Sequence, residues 1–591
     1  MRLMFPLRCI RRRSLDILLK GGIIFTVCLF IVQITSSHPK GGISQRTLDE
    51  GEPHVQKREN QEIESTEQKL PPNGKSKIIK NPFLATIEPP TKTDIIRAEN
   101  SGFYKNIMIH FDLKGAPPRV EYFKKLLRLI AEAGATGILL EWEDMFPWKG
   151  EIEKFKSTDA YSDDDVDQIL KEAVSLDLEI VPLVQTFGHL EWILKYEETR
   201  KYRENDAYPQ VLCLGNEEGV NLVKEALRQV IEVHSKYGLK MMHIGADEAF
   251  EFGVCKESIE WIRKNGGKGG KQLLALAHLK NIAEYVKKTA SSEITVLAWH
   301  DMLKDFDSRL IHQLDLGSFI EPVVWDYSEN IVTLNDYIFS TIAENFPTMW
   351  ASSAYKGANY PSASQSEVGH YEKNNRRWLS TKSNQERKFK NGFHGIIITG
   401  WQRYDHLAGL CEILPIGTAS MILQLQTALG GPNRQYDDAR KEAGRILKCK
   451  SFHVEGVQVV SNQCDYPGFN TYLQYQSVIP NTLAGIEREL GANHHLMGWA
   501  NRYNAKYNIS QNWYHREMLP FVDGLLNRYN RVEQDLRTSM SDLFFQNTID
   551  EFIYENLGLM SEKLNGYRDN INRLNKLRTW PKRHFPLKTE L

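Results

Sequence analysis

From Asn106 onward the chain repeats one pattern eight times: a short apolar run, a polar loop, then a segment with helical periodicity. The runs are Asn106–Asp112, Thr136–Trp142, Leu178–Gln185, Leu239–Gly245, Ile294–His300, Phe319–Asp326, Thr348–Ala354 and Gly395–Trp401. Continuous apolar runs of this length fit strands buried on both faces, as in parallel sheets. Between them, Phe123, Leu126, Leu127 and Ile130 share one helical face, and Val166, Ile169, Leu170 and Ala173 repeat that spacing. Eight β-then-α units over about 330 residues predict a (β/α)8 barrel, an α/β fold. A doubly wound open sheet is the alternative. Eight runs, with no glycine-rich phosphate loop after the first, argue against it. After Gly430 the pattern changes: Leu525, Tyr529, Val532 and Leu536 follow helical spacing. The expected division is a barrel over 96–430 and a mostly helical region over 431–591.

The segment before the barrel predicts a location. Residues 1–20 carry Arg2, Arg8, Arg11, Arg12 and Arg13, and an apolar run follows within 21–36. With Ile17, Leu18 and Leu19 that run approaches the roughly 20 residues needed to span a bilayer, although Lys20 interrupts it. The expectation is an uncleaved signal anchor with the basic tail in the cytosol and the bulk of the chain in the lumen, in the Golgi because the span is short. The alternative is secretion after cleavage near Thr35, Ser36 and Ser37. Residues 37–95 are polar, lack an apolar period and read as a disordered stem. The sequon Asn508-Ile509-Ser510 is compatible with a lumenal face.

The chain has 591 residues, more than one average domain needs. Its 74 basic and 75 acidic side chains leave a net charge of -1, so bulk electrostatics give no case for a nucleic-acid partner. The seven cysteines show no CxxC or Cys/His ligand spacing, which speaks against structural zinc. Cys449 and Cys464 are near enough in sequence to pair in an oxidising compartment; free buried thiols are the other reading.

Barrel enzymes work at the C-terminal ends of their strands, and there the polar and aromatic residues gather. In strand order these are Asp112 and Lys114; Glu141 and Glu143; Gln185, His189 and Glu191; His243, Asp247 and Glu248; Trp299 and Asp301; Trp325 and Tyr327; Trp350 and Tyr355; Trp401 and Tyr404. Trp299, Trp325, Trp350 and Trp401 fall at or near four consecutive strand ends. Flat aromatic rings suit the C–H faces of a pyranose, so a sugar pocket is expected. The adjacent pair Asp247-Glu248 follows directly after a buried strand. Most retaining glycosidases place a nucleophile and an acid on different strands. Two neighbours on one loop fit a different division of labour, in which the 2-acetamido oxygen of the substrate attacks C1.

The run His243-Ile244-Gly245-Ala246-Asp247-Glu248 resembles the His-x-Gly-x-Asp-Glu motif of the family 20 glycoside hydrolases. The stretches HFDLKGAPP, EWEDMFPW, QTFGHLEWILK, HIGADEAFEFG and ASSAYKGA are similar to the hexosaminidase D branch, and the resemblance covers roughly residues 103–430. It implies substrate-assisted removal of terminal β-linked N-acetylhexosamine, with a leaning to galactosaminides and with no cofactor or metal. By motif, Glu248 would be the acid/base and Asp247 would orient and stabilise the acetamido group. Tyr355 would bond the acetamido oxygen, and Trp299, Trp325 and Trp401 would wall the pocket. His189 and His243 would support the carboxylates or be buried histidines with ordinary partners. Asp112 and Lys114 stand where many members use an arginine. The membrane anchor departs from the soluble members of that branch. The competing readings are a two-carboxylate glycosidase with Glu141 or Glu321 as nucleophile, a catalytically inactive carbohydrate-binding barrel, and a metal-dependent hydrolase using His110, His189, His243 and Asp247.

Overall fold

A computed structural model describes residues 102–585 apart from 362, 456–457 and 461–462. The expected tail, signal anchor and stem lie outside the described residues. Among the described residues, no helix is long and apolar enough to cross a membrane.

Eight parallel strands close into a barrel in the order β1-β8-β7-β6-β5-β4-β3-β2. They are β1 (Asn106–Asp112), β2 (Gly137–Glu141), β3 (Glu179–Leu183), β4 (Met241–His243), β5 (Thr295–Trp299), β6 (Ile320–Trp325), β7 (Met349–Lys356) and β8 (Phe393–Gly400). All eight expected runs become strands, because each alternates between two buried faces. Met108, Leu139, Val181, Leu297, Val323, Trp350 and Ile397 fill the interior. Their chain neighbours, such as Ile107, Ile109 and Ile396, pack outward against helices. The two-residue period of a strand sends successive side chains to opposite faces, so neither face of this sheet sees water.

The helices close the outer layer. In α1 (Val120–Glu132), Phe123, Leu126, Leu127 and Ile130 are buried against the sheet; in α2 (Asp163–Ser175), Val166, Ile169, Leu170 and Ala173 are. Ser162 caps α2 through a reciprocal capping box with Asp165. Helix α3 (Leu414–Gly430) is buried almost all round, since elements of the C-terminal region cover the side it turns away from the barrel. There α4 (His515–Met540) packs along α5 (Gln546–Asn575) through Leu525, Tyr529, Val532 and Leu536.

Two features matter for the site. A hairpin of Arg203–Asn205 and Tyr208–Leu212 is inserted between β3 and β4, where no strand was expected. Beyond β8, Arg403 donates to both carboxylate oxygens of Glu551 on α5, at 2.5 and 2.6 Å, and also to the carbonyls of Lys114 and Gly115. The C-terminal region therefore grips the loop that carries Lys114.

Candidate active site

The β4 strand stops after three residues because the chain must turn sharply. Gly245, Ala246 and Glu248 all adopt left-handed backbone, with φ of 65°, 76° and 47°. A side chain at Gly245 would meet Gln185 Oε1 at 1.9 Å, so only glycine fits there. Left-handed backbone at the two non-glycine residues costs of order 1–3 kcal/mol each. Hydrogen bonds offset that cost. Gly245 N–H donates to His243 Nδ1 at 2.9 Å, Ala246 N–H to Gln185 Oε1 at 3.2 Å, and Glu248 N–H to Asp301 Oδ2 at 2.8 Å. A bond to an ionised group contributes about 1.5–3 kcal/mol, enough to hold Glu248 in this conformation.

The turn delivers both carboxylates to a cavity of about 210 Å³ at the C-terminal mouth of the barrel. His189, itself left-handed at φ 51°, reaches them from the loop after β3. Its Nε2 lies 3.6 Å from Asp247 Oδ2 and 3.3 Å from Glu248 Oε2. Burial works against charge on His189, but Asp247, then Glu248 and Glu191, outweigh it and push its pKa up to about 10. Burial pushes Asp247 up to about 7; His189 pulls it down, while Asp301, Glu248 and Glu141 add to the rise. Asp247 Oδ1 is buried and has no protein hydrogen-bond partner.

Aromatic rings form the walls. Trp299 and Trp401 lie with ring centroids 5.8 Å apart, and Trp325 stacks on Tyr327 at 5.2 Å. All four line the cavity. Trp325 Nε1 donates to Asp301 Oδ1 at 3.1 Å, and Trp401 Nε1 donates to the Tyr327 hydroxyl at 3.3 Å. Lys114 enters from the β1 side, 5.4 Å from the Trp401 ring. Burial opposes its charge, but Asp112 at 3.1 Å, with Glu141 and Glu143 at 3.6 Å, holds its pKa well above the usual lysine range.

Of the ten residues singled out from the sequence, seven line this cavity: Lys114, His189, Asp247, Glu248, Trp299, Trp325 and Trp401. The other three do not. Asp112 is spent within the protein, accepting from Lys114 N–H, Lys114 Nζ and Gln402 N–H. His243 is wholly buried, with its pKa lowered to about 3 by burial. It supports the turn through Gly245 and packs 4.4 Å from Trp299. Tyr355 faces away, its hydroxyl donating to the carbonyl of His110 at 3.3 Å. Trp350 faces inward, so an odd number of residues later Tyr355 faces outward. Trp350 itself sits too deep for the mouth and donates to Glu321 Oε2 at 2.9 Å. Tyr327 and Asp301 are the functional candidates without an assigned role from sequence. Both stood among the strand-end residues, and the inward parity they share with Trp325 and Trp299 is a signal that could have singled them out.

The competing chemistries find little here. Asp247 and Glu248 are the two carboxylates lining the cavity among the described residues. Glu141 lies beneath, tied to Lys114 and to His110 at 3.2 Å, its pKa lowered to about 2: burial would raise it, and Lys114 and His110 prevail. Glu321 sits in the lower half of β6 with His394 and Trp350. His110 and His243 are buried side chains that do not line the cavity.

Known proteins match this region of the chain. Residues 121–402 match the model described as "Glycosyl hydrolase family 20, catalytic domain". A protein named Hexosaminidase D from Homo sapiens is 32% identical over 452 residues, which is 76% of this chain and 91% of that protein. The chain belongs to glycosyl hydrolase family 20. Another relative of that name, from Bos taurus, is 36% identical over 341 residues, 57% of this chain and 95% of its own. Among solved structures, a β-N-acetylhexosaminidase from Bacteroides fragilis aligns over 58% of this chain and 70% of its own, at 14% identity and a TM-score of 0.42. In this family 20 chain the matched segment begins in α1 and ends just past Trp401, so it includes the acid turn and all four aromatic walls.

Proposed function

We propose that this chain is a retaining exo-β-N-acetylhexosaminidase whose nucleophile is supplied by the substrate. One observation carries the reading: a cavity sized for a single sugar ring whose two carboxylates are adjacent on one turn. A retaining enzyme with its own nucleophile sets its carboxyls on opposite sides of the anomeric carbon, about 5–5.5 Å apart. Here the opposing wall is aromatic. The attacking atom then comes from the sugar, and the 2-acetamido oxygen is the group within reach of C1.

In this scheme Glu248 protonates the glycosidic oxygen as that oxygen leaves, and the acetamido oxygen bonds to C1 to give an oxazolinium ion. Asp247 accepts from the acetamido N–H through its free Oδ1 and balances the developing positive charge. The Tyr327 hydroxyl, rather than that of Tyr355, faces the acetamido oxygen. Glu248 then takes a proton from water as that water attacks C1; the bond from C1 to the acetamido oxygen breaks, the acetamido group is restored, and the β configuration returns. Trp299, Trp325 and Trp401 enclose the ring, while Lys114 reaches the hydroxyls on the far side. Substrate classes are glycans or glycoconjugates ending in β-linked GalNAc or GlcNAc.

We further propose a single-pass type II arrangement in the secretory pathway, Golgi included, with the catalytic region in the lumen. Two disulfides support an oxidising compartment, Cys213–Cys255 and Cys449–Cys464. Asn508 of the sequon is exposed.

The test is to assay aryl β-N-acetylgalactosaminide and β-N-acetylglucosaminide beside the plain galactoside and glucoside, and to follow the first-formed product by proton NMR. Cleavage of acetamido sugars alone, with a β product, is expected. An α product, or equal cleavage of sugars without the acetamido group, would sink the mechanism.

A further inference from the structure

The cavity of about 210 Å³ falls below the 300–1,000 Å³ of pockets that enclose drug-sized ligands. It takes one sugar ring, and the rest of the substrate leaves through the mouth. The atom joining the two parts is the glycosidic oxygen that Glu248 protonates. Whatever is attached beyond that oxygen lies on the surface beside Glu248.

The segment just past Glu248 helps line a second depression of about 240 Å³, enclosed by Asn205, Tyr208, Gln210, Val211, Phe250 and Glu251. Phe250 and Tyr208 are 74% and 60% exposed. Phe250 is two residues past the acid, so their Cα atoms are at most about 7.6 Å apart, and its N–H donates to the Glu248 carbonyl at 2.9 Å. The hairpin that carries Tyr208 is bound to the same segment. Asn205 Nδ2 donates to Glu251 Oε2 at 2.7 Å, the buried Glu204 accepts from the N–H groups of Val254 and Cys255, and Cys213 is joined to Cys255 by a disulfide. Two exposed aromatic rings are thus held at a set position relative to the proton donor.

We propose that Phe250 and Tyr208 form an aglycone subsite, a bed for the sugar ring directly beyond the scissile bond. The proposal rests on the hexosaminidase reading of Asp247 and Glu248. Aromatic rings pack against the C–H faces of a pyranose, and Asn205, Gln210 and Glu251 stand beside them to meet its hydroxyls. Those three polar side chains interrupt the apolar surface, which disfavours a lipid chain in the same place.

The experiment compares a disaccharide ending in β-linked N-acetylhexosamine with the methyl glycoside of the same sugar. The measured quantity is the ratio of the two kcat/KM values in wild type, Phe250→Ala, Phe250→Trp, Tyr208→Ala and Tyr404→Ala. The ratio should fall about tenfold in each of Phe250→Ala and Tyr208→Ala, the scale of one lost ring contact, and return in Phe250→Trp. Tyr208 lies on the hairpin, so its variant remains informative if Phe250→Ala disturbs the acid turn. An unchanged ratio in both alanine variants overturns the subsite. So does a fall confined to Tyr404→Ala, which would put the second ring against Tyr404 in the lining of the cavity itself. A change in sedimentation with an unchanged ratio would mark the face as a contact between copies and overturn it equally. A wild type inactive on both glycosides would instead overturn the hexosaminidase reading, and the subsite with it.

Discussion

Asp301 holds the acid by its backbone: Asp301 Oδ2 accepts the Glu248 N–H at 2.8 Å, while Oδ1 accepts Trp325 Nε1 at 3.1 Å. One carboxylate at the end of β5 thereby sets both the left-handed turn that aims the proton donor and the wall opposite it. Asp301→Ala removes both acceptors and leaves Glu248 in a costly conformation unsupported. Loss of a bond to an ionised group costs about 1.5–3 kcal/mol, so kcat should fall roughly 10- to 100-fold with a modest drop in Tm. Asp301→Asn, which keeps one acceptor oxygen, should recover part of kcat. Steady-state kinetics with a melting curve decide it: an Asp301→Ala enzyme with wild-type kcat would refute the positioning role.

Glu248→Gln should act on chemistry and not on folding. The Glu248 side chain is 22% exposed, and its close side-chain partner is His189 Nε2 at 3.3 Å. Removing a general acid typically costs 10²–10⁴-fold. The loss should be larger for a disaccharide than for an aryl glycoside, because a sugar alkoxide needs the proton more than a phenolate does. An equal loss on both leaving groups would count against proton donation by Glu248.

The barrel was legible because eight strands with two buried faces must be written as eight apolar runs. The acid turn was legible because Gly245 and the two acids carry a local motif. Side-chain direction was not: Tyr355 was carried over by motif and Trp350 was placed by its strand end, whereas the pleat turns Tyr355 outward and depth withholds Trp350. The hairpin at 203–212 was hidden because its short strands are half exposed and lack an apolar alternation. The Cys213–Cys255 pair joins residues 42 apart, a closeness that only the folded loops create. Likewise Glu551 reads as one more surface acid until the fold brings Arg403 to it.

The pH dependence follows from His189 and Asp247. Asp247 must be ionised to balance the oxazolinium charge, and its pKa is pushed up to about 7 by burial against the pull of His189. The kcat/KM profile should therefore rise with pH through about 7. His189→Gln removes the cation that lowers Asp247, so the rising limb should move to higher pH; Asp247→Asn should abolish the limb along with most of the activity. The stability consequence has a fixed sign. His189 titrates near 10 when folded and 6.5 when free, so its contribution is whole below 6.5 and is lost as pH climbs through 10. Urea midpoints measured from pH 6 to 10 should fall in wild type and fall less in His189→Gln. A limb that stays in place in His189→Gln would uncouple the two residues.

The Cys213–Cys255 bridge should matter for both stability and catalysis, and the two disulfides allow the effects to be separated. Closing a 42-residue loop is worth about 4 kcal/mol by chain entropy, and closing the 15-residue loop of Cys449–Cys464 about 3 kcal/mol. On stability alone the two double-serine variants should look similar. Their positions differ. Cys255 lies seven residues past Glu248, beside the Glu204 carboxylate that anchors the same segment, whereas Cys449–Cys464 lies in the C-terminal region. Opening the first bridge frees the far side of the acid turn, so Cys213→Ser/Cys255→Ser should lose activity at temperatures where it is still folded. Cys449→Ser/Cys464→Ser should lose activity only as it unfolds. Parallel melting and activity curves distinguish the cases: if both variants keep full kcat until their melting transitions, the bridge near the acid is a stabilising staple with no part in holding Glu248.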